Sequence, residues 1–291
     1  MSEAMSTEGR LAEQLREEER TGSGTGIAVS APADSRWRAH IRGFGLPVVG
    51  FLVILLVWQL LTSGLLSDSS IVTAFQPRNA FRELVGFFVS GVIYSHIFAS
   101  LERIVLGLAL AVAIGVPIGV VIGHYRTAER ASSLAFQFLR MISPLSWMPI
   151  AIIAFGVGNN PVIFLIAIAA VWPMIINTAH GVSSLDQRWI RAARTLGANE
   201  WKLVRMVILP AVVPDMLTGL RLAVGLAWVV LVPAEMLGVS DGLGYYILDT
   251  RDRFNYGELM AVILIIGVIG YALDQLIRLL RVHASWDQEE R

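Results

Sequence analysis

Hydrophobic residues of this chain gather into long runs that are separated by shorter polar connections. Six of these runs are about 20 residues or longer, which is the length that an α-helix needs to cross a hydrocarbon core of about 30 Å. The predicted spans are residues 46–66, 97–123, 134–156, 161–182, 210–237 and 259–280. The pattern therefore predicts an all-α membrane protein with six transmembrane helices.

Basic residues indicate how these helices are oriented. An even number of spans places both termini on one side, and Arg and Lys concentrate on the cytoplasmic side. The segments on the side of the termini hold Arg36, Arg38, Arg42, Arg126, Arg130, Arg188, Arg191, Arg194, Lys202, Arg205, Arg278 and Arg281. The opposite connections hold Arg78, Arg82, Arg251 and Arg253. Both termini are therefore predicted to be cytoplasmic.

The polar segments divide the chain into four parts. Residues 1–43 are predicted to be a polar cytoplasmic tail, and residues 44–94 the first transmembrane helix with a periplasmic connection. Residues 95–283 form a predicted core of five transmembrane helices, followed by a short cytoplasmic tail, 284–291. The N-terminal tail is rich in charge, so a disordered or partly helical tail is favoured over a regulatory element. No apolar stretch begins near Met1, so no secretory signal peptide is expected.

Composition excludes several classes of protein. A chain that is 55% hydrophobic and 16% charged, with a mean hydropathy of +0.63, does not have the composition of a soluble globule. The 23 basic residues balance 23 acidic ones, so no chain-wide charge favours nucleic acid. The absence of cysteine and of an HxxxH spacing excludes cysteine-ligated metal sites and a zinc-binding helix.

The lysine content bears on ATP binding. Lys202 is the only lysine, and Trp201 precedes it, whereas a Walker A loop needs a lysine directly after a glycine. The chain therefore lacks a P-loop. If ATP drives its function, the nucleotide and its Mg²⁺ must bind to a separate subunit, and no cofactor is expected on this chain.

A long polar connection, residues 184–210, has a helical pattern of its own. Its apolar residues at helical spacing are Leu185, Trp189, Ala192, Ala193 and Leu196. Gly197 suits the C-terminal end of this helix, Asn199 can cap a second one, and Pro210 stands where the next span begins. The segment is predicted to be a helix–turn–helix outside the membrane. Taken alone, a helix resting on lipid headgroups is at least as well supported as a protein-binding element.

The same segment carries a motif. Arg191-Ala192-Ala193 is followed after three residues by Gly197, and after nine more by Val207-Ile208-Leu209-Pro210. This spacing resembles the EAA loop of bacterial binding-protein-dependent ABC importer permeases, in which E-A-A, G and I-x-L-P stand at these intervals. Arg191 replaces the usual Glu and Val207 the usual Ile, and Arg-Ala-Ala is frequent in one subgroup.

Further segments resemble the nitrate, sulfonate, taurine and bicarbonate branch of these permeases. They are residues 140–149 (RMISPLSWMP), 172–178 (WPMIINT), 218–221 (TGLR) and 234–236 (AEM). The resemblance covers about residues 95 to 282, and the tail and first span match only in general character. It implies a type I importer fold and the permease subunit of an ATP-driven importer for a small oxyanion, in the bacterial inner membrane.

The resemblance also implies partners. They are ABC ATPase subunits, a periplasmic or lipid-anchored solute-binding protein, a second permease copy that is expected to be identical, and membrane lipid. ATP hydrolysis would belong to the ATPase, so the chain itself is not expected to be an enzyme. The residues expected to couple to the ATPase are Arg191, Ala192, Ala193, Gly197, Leu209 and Pro210.

Polar residues within the predicted spans are candidates for the translocation path, because a charge at membrane depth costs on the order of 3 kcal/mol unless it has a partner or water. The candidates are Arg140, Ser143, Trp147, Asn177, Arg221 and Glu235. For Arg140, a role in the translocation path and a structural role are about equally supported. For Arg221, a structural role is favoured. Arg221 and Glu235 are too far apart on one helix to touch, about 21 Å, so each needs a partner elsewhere. Arg103 lies nearer a span end, where snorkelling or helix-end pairing would suffice.

Small residues recur at every fourth position of the second span. They are Gly107, Ala111, Gly115, Gly119 and Gly123. Such a stripe lets another backbone approach closely, and packing within one bundle is favoured over a mobile or subunit-facing interface.

Two other classes of function are less well supported. A secondary transporter driven by an ion gradient usually has an inverted repeat and midplane carboxylates, but the halves show no repeat and Glu235 is the only strong acidic candidate in a span. An intramembrane enzyme needs a nucleophile with a base or a metal set, which the scattered histidines do not provide.

Overall fold

The computed structural model describes residues 49–63 and 70–289. Every regular element in these ranges is a helix, which agrees with the predicted all-α class. The helices are α1 (Val49–Thr62), α2 (Ser70–Ala74), α3 (Pro77–Ser90), α4 (Val92–His124), α5 (Arg126–Met141), α6 (Met148–Phe155), α7 (Asn159–Ser184), α8 (Gln187–Thr195), α9 (Glu200–Leu203), α10 (Leu209–Ala211), α11 (Val213–Gly238), α12 (Leu243–Asp252) and α13 (Tyr256–Glu289). A 3₁₀ turn, Pro144–Trp147, precedes α6, and a π-helical turn, Val204–Ile208, joins α9 to α10.

Four helices in the described part are long and apolar enough to cross a membrane: α4, α7, α11 and the stretch Tyr256–Leu279 of α13. They coincide with four of the six predicted spans. The helices flanking the break after Met141 form a fifth span only if the bent pair is counted as one. Of the predicted first span, 46–66, the described part is α1, which is shorter than a full crossing. The predicted tail, 1–43, lies outside the described residues, so the six-span count and the side of the termini stay predictions.

The predicted span 134–156 is not a straight helix. The helical segments Arg126–Met141 and Pro144–Phe155 are bent by 86°. Ser143, with ψ 129°, is extended, because the ring of Pro144 excludes the helical conformation from the residue before it. Pro144 thus breaks the helix within the segment that the sequence pattern predicted to be one span.

Helices α3 and α12 were missed because they lie in predicted connections. Helix α3 begins with Pro77, whose missing N–H is unneeded in a first turn, and ends at Gly91 with φ +76°. Helix α12 follows α11, and the rings of Phe87 and Tyr246 pack α3 against it with centroids 5.6 Å apart. Both helices are too short and too polar for a search based on span length.

Helices α4 and α7 pack closely along the small-residue stripe of α4. A Cβ atom built on Gly115 would lie 2.7 Å from Met174 Cβ, and one on Gly119 would lie 2.8 Å from the carbonyl oxygen of Ile175. The small-residue stripe of α4 therefore lets two backbones of the same chain pack closely, which confirms the packing interpretation.

Candidate functional site

Two regions of the described chain carry candidate functional residues. The first is the segment from Asp186 to Ala211, which we call the hairpin. Asp186 caps α8 by accepting a hydrogen bond from the backbone N–H of Arg188 at 2.8 Å, and Asn199 caps α9 by accepting one from that of Lys202 at 2.8 Å. The predicted role of Asn199 is thus confirmed, and both helices begin at fixed positions.

Gly197 determines the turn between these helices. Its φ of +81° is in the left-handed region, and the N–H of Ala198 reaches back to the carbonyl oxygen of Ala193 at 3.0 Å. This is the Schellman arrangement that ends many helices. A Cβ on Gly197 would meet no heavy atom within 4 Å, so the glycine is needed for its conformation and not for space.

The end of the hairpin is wound more widely than an α-helix. The N–H of Leu209 donates to the carbonyl oxygen of Val204, a π-helical bond, directly before Pro210. A π turn relieves the clash of the proline ring with the carbonyl one turn earlier. Leu209 is half-buried and Pro210 is exposed, so the pair joins the hairpin to α11 at the bundle surface.

One side of the hairpin is anchored in the bundle. Ile190 is 5% exposed, and Leu203 and Ile208 are fully buried in the same apolar cluster as residues of α4 and α7. His124 at the end of α4 also lies 3.5 Å from Glu200, measured between Nε2 and Oε2. Ile190 was not among the predicted apolar residues of this helix, and its packing in the bundle shows that α8 has a second apolar side.

The predicted apolar stripe of α8 is divided between two sides. Leu185 and Ala193 pack against the buried cluster, but Trp189 and Leu196 do not. The exposed apolar residues of the hairpin are Trp189 (69%), Ala192, Leu196 (88%), Trp201 (70%) and Met206 (72%). Apolar side chains exposed on a rigid, anchored element are typical of a binding surface. Arg191 is exposed beside them.

The second region is a buried ion network centred on Arg103. Its guanidinium lies 2.6 Å from Glu235, and both side chains are almost inaccessible to solvent. The same guanidinium donates to Asn159 at 2.7 and 3.0 Å, to the backbone carbonyl of Asp241 at 3.0 Å, and to the Asp241 carboxylate. Five contacts use all five N–H donors of the arginine.

The carboxylate of Glu235 is satisfied in a similar way. Ser100 Oγ donates to it at 2.8 Å, and the N–H of Gly244 donates at 2.8 Å. A Cβ on Gly242, where φ is +103°, would lie 2.4 Å from the guanidinium of Arg103. The network therefore fixes the α11–α12 turn against α4 and the start of α7.

Of the two explanations offered for Arg103, snorkelling is wrong and pairing at helix ends is confirmed. Its side chain is 1% exposed and is held by groups from α7, α11 and the α11–α12 turn. A buried arginine requires a carboxylate partner. This requirement was the signal in the sequence that could have indicated an ion pair. The sequence alone offered several carboxylates and no means of choosing Glu235.

Arg221 has a different environment. It pairs with Asp274 of α13 through two parallel hydrogen bonds, Nε to Oδ1 at 2.8 Å and Nη2 to Oδ2 at 3.0 Å. The two side chains are 40% and 42% exposed. Arg221 and Glu235 thus each have a partner on another helix, as their spacing requires.

The remaining candidates are dispersed. Arg140 is exposed in the last turn of α5, Ser143 is exposed at the break, and Trp147 packs against the apolar cluster around Ile104. The Asn177 amide donates to the carbonyl oxygen of Pro173, in its own helix, at 2.8 Å. Among the described residues, no hydrogen bond or ion pair joins these four side chains to one another.

Comparisons with known proteins agree with this architecture. The profile of the family described as "Binding-protein-dependent transport system inner membrane component" matches residues 115–283. The bicarbonate transport system permease protein CmpB of Synechococcus elongatus is 35% identical over 252 residues, covering 83% of this chain and 90% of that protein. The nitrate import permease protein NrtB of Leptolyngbya laminosa is 33% identical over 248 residues, covering 83% and 88%.

A solved structure is similar in fold. A chain of the MetNI methionine ABC transporter in inward-facing conformations superimposes with a TM-score of 0.55 and 17% identity. The similarity covers 66% of this chain and 95% of that one.

Proposed function

Since this chain belongs to the family of binding-protein-dependent transport system inner membrane components, and is a permease component of an ABC importer, we propose that it forms the path for a small oxyanion. The substrate class is nitrate, bicarbonate or a sulfonate such as taurine. Relatives named for bicarbonate and nitrate import support the first two. The permease core is residues 95–283, in an inner membrane with both termini cytoplasmic.

The observation that carries the coupling mechanism is the two-sided hairpin. One side is anchored by Ile190 and Leu203 in the bundle, and the other exposes Trp189, Leu196 and Trp201. An ATPase subunit that binds the exposed side would displace the hairpin as a unit, because both helices are capped. The displacement would reach α7 and α11 directly, since the hairpin connects them.

The chain supplies no lysine for a nucleotide loop, so ATP and Mg²⁺ bind to the partner ATPase. Binding and hydrolysis there shift the permease between two conformations of the bundle. A second permease copy completes the path, and a solute-binding protein delivers the anion to the opposite face.

Uptake into proteoliposomes that contain the permease, its ATPase and its solute-binding protein tests this function. Uptake of labelled nitrate or bicarbonate should require ATP and should continue when ionophores collapse the ion gradients. Uptake that persists without ATP and stops with ionophores would contradict the proposal in favour of a secondary transporter.

Two substitutions test the hairpin. Ala192→Trp adds bulk to the exposed side, and Gly197→Leu forces a β-carbon into the left-handed region. Both should reduce uptake and ATPase stimulation by the solute-binding protein, whereas Ala192→Ser and Gly197→Asn should retain both. Unchanged uptake and stimulation in Ala192→Trp and Gly197→Leu would reject the coupling role.

A further inference from the structure

Arg103 of α4 and Arg221 of α11 use their N–H donors differently. Arg103 uses all five N–H groups, whereas Arg221 makes two hydrogen bonds within the described residues, both to Asp274. The remaining N–H groups of Arg221 have no partner in that part of the chain. Arg221 therefore has the donors of an anion site, which Arg103 lacks.

The geometry of the Arg221–Asp274 pair resembles oxyanion recognition. The guanidinium edge meets two oxygens of one planar carboxylate in parallel, at 2.8 and 3.0 Å. Nitrate and bicarbonate are planar ions that present two oxygens on an edge in the same way, and such a fork selects this shape. The Asp274 carboxylate thus occupies the place that such an ion would take.

The pair is also accessible. Arg221 and Asp274 lie within α11 and α13, both apolar enough to span a membrane, yet each side chain is about 40% exposed. Contact of such a pair with lipid would be costly, so we expect this face to border water or protein. A water-lined face is what a path for an anion requires.

A further cation, Arg278, lies near Asp274 along the same helix. Arg278 lies four residues after Asp274 on α13 and is exposed. A pair at this spacing shares one helix face. Arg221, Asp274 and Arg278 together carry one net positive charge, which favours a monovalent anion.

From these observations, and resting on the proposed function, we propose that Arg221 is an oxyanion-binding residue of the path and that Asp274 is its displaceable resident partner. When the path is empty, Asp274 keeps the guanidinium paired. An arriving oxyanion replaces the carboxylate on Arg221, and Asp274 turns to Arg278. Release of the ion restores the original pair, so Arg221 is never left without an anion.

The test measures anion binding on the purified permease without ATP or partners. Phenylglyoxal, which modifies arginine, is used as the probe, and mass spectrometry follows Arg221 at increasing nitrate or bicarbonate concentrations. The anion should protect Arg221. In Asp274→Asn, which removes the competing charge, half-maximal protection should occur at a concentration about threefold to fivefold lower. Arg221→Lys keeps the charge and loses the fork, so in a separate assay ATP-driven uptake into proteoliposomes at saturating substrate should fall about tenfold or more.

Asp249→Asn is the matched control. Asp249 forms a pair with Arg253 at 2.8 Å and similar exposure, but on α12. In this variant, the anion should protect Arg221 half-maximally at the same concentration as in the wild type. Equal protection in Asp274→Asn and wild type would overturn the proposal, and so would a loss of permease dimer in Asp274→Asn without a shift in protection, which would make the pair a subunit contact.

The yield of folded protein and the transport activity are measured separately from anion protection. Asp274→Glu keeps the charge and serves as the reference if Asp274→Asn lowers the yield of folded protein. A shift in protection with uptake that does not need ATP would leave this site valid and refute the proposed function. ATP-driven uptake with no shift in protection would support the proposed function and refute this site.

Discussion

Arg103 of α4 and Glu235 of α11 form an ion pair of 2.6 Å in which both side chains are almost inaccessible to solvent. Because each charge is buried, removal of either one leaves the other without compensation. The pair connects the half of α4 that precedes the glycine stripe to the end of α11, just before the turn that leads into α12.

Arg103→Gln and Glu235→Gln should each lower the free energy of unfolding by about 3–5 kcal/mol, because each leaves a buried charge unpaired. Thermal unfolding of the purified protein in detergent measures this. Asp249→Asn, which breaks one partly exposed pair with Arg253, should lower it by about 1 kcal/mol or less. Equal effects of the buried and exposed substitutions would show that the network contributes little.

Gly242→Ala should destabilise the α11–α12 turn. Its φ of +103° disfavours any β-carbon, and the added carbon would lie 2.4 Å from Arg103 and 2.5 Å from Glu235. We expect a clear fall in thermal midpoint. Gly267→Ala is the control, because its β-carbon would meet no heavy atom within 4 Å. A midpoint for Gly242→Ala equal to that of the control would contradict this account of the turn.

The two sides of α8 should respond differently to truncation. Ile190→Ala removes a buried anchor and should lower the unfolding free energy by about 2–5 kcal/mol. Trp189→Ala, at an exposed neighbouring position, should change it by about 0.5 kcal/mol or less but should weaken binding of the ATPase subunit. Thermal unfolding and co-purification with the ATPase measure the two effects. Unaltered co-purification of Trp189→Ala would place the ATPase contact elsewhere.

Arg140→Gln should reduce uptake about tenfold or more if this exposed cation contacts the transported anion, since hydrogen bonds to charged groups are the stronger ones. Its amount in the membrane and its binding of the ATPase should not change. Arg130→Gln, on the same helix, should leave uptake near the wild-type level. A variant of Arg140 that is poorly expressed but has normal uptake per molecule would assign this residue a structural role.

Hydrophobic patterning predicted the elements whose signal is local. Residues 97–123 and 161–182 form α4 and α7, because an apolar run of that length is a helix wherever it lies. The cap at Asn199 and the turn at Gly197 were also predictable, since each depends on one side chain or on its absence.

Pairings between distant residues could not be predicted. The contact between Arg103 and Glu235 joins residues 132 positions apart, and its choice over other carboxylates depends on how α4 packs on α11. Ile190 was missed for a related reason, because only the packed bundle shows that α8 has two apolar sides with different surroundings. Helices α3 and α12 have too few apolar residues for a span-length criterion and owe their positions to tertiary contacts such as that between Phe87 and Tyr246.

The glycine stripe of α4 limits how this bundle can change shape. With backbone atoms of α7 lying where the β-carbons of Gly119 and Gly123 would otherwise be, the two helices cannot slide or roll without losing close contact along several turns. We therefore expect α4 and α7 to move as one unit, so that a displacement near His124 and Ser184 would also move the segments that hold Arg103 and Asn159.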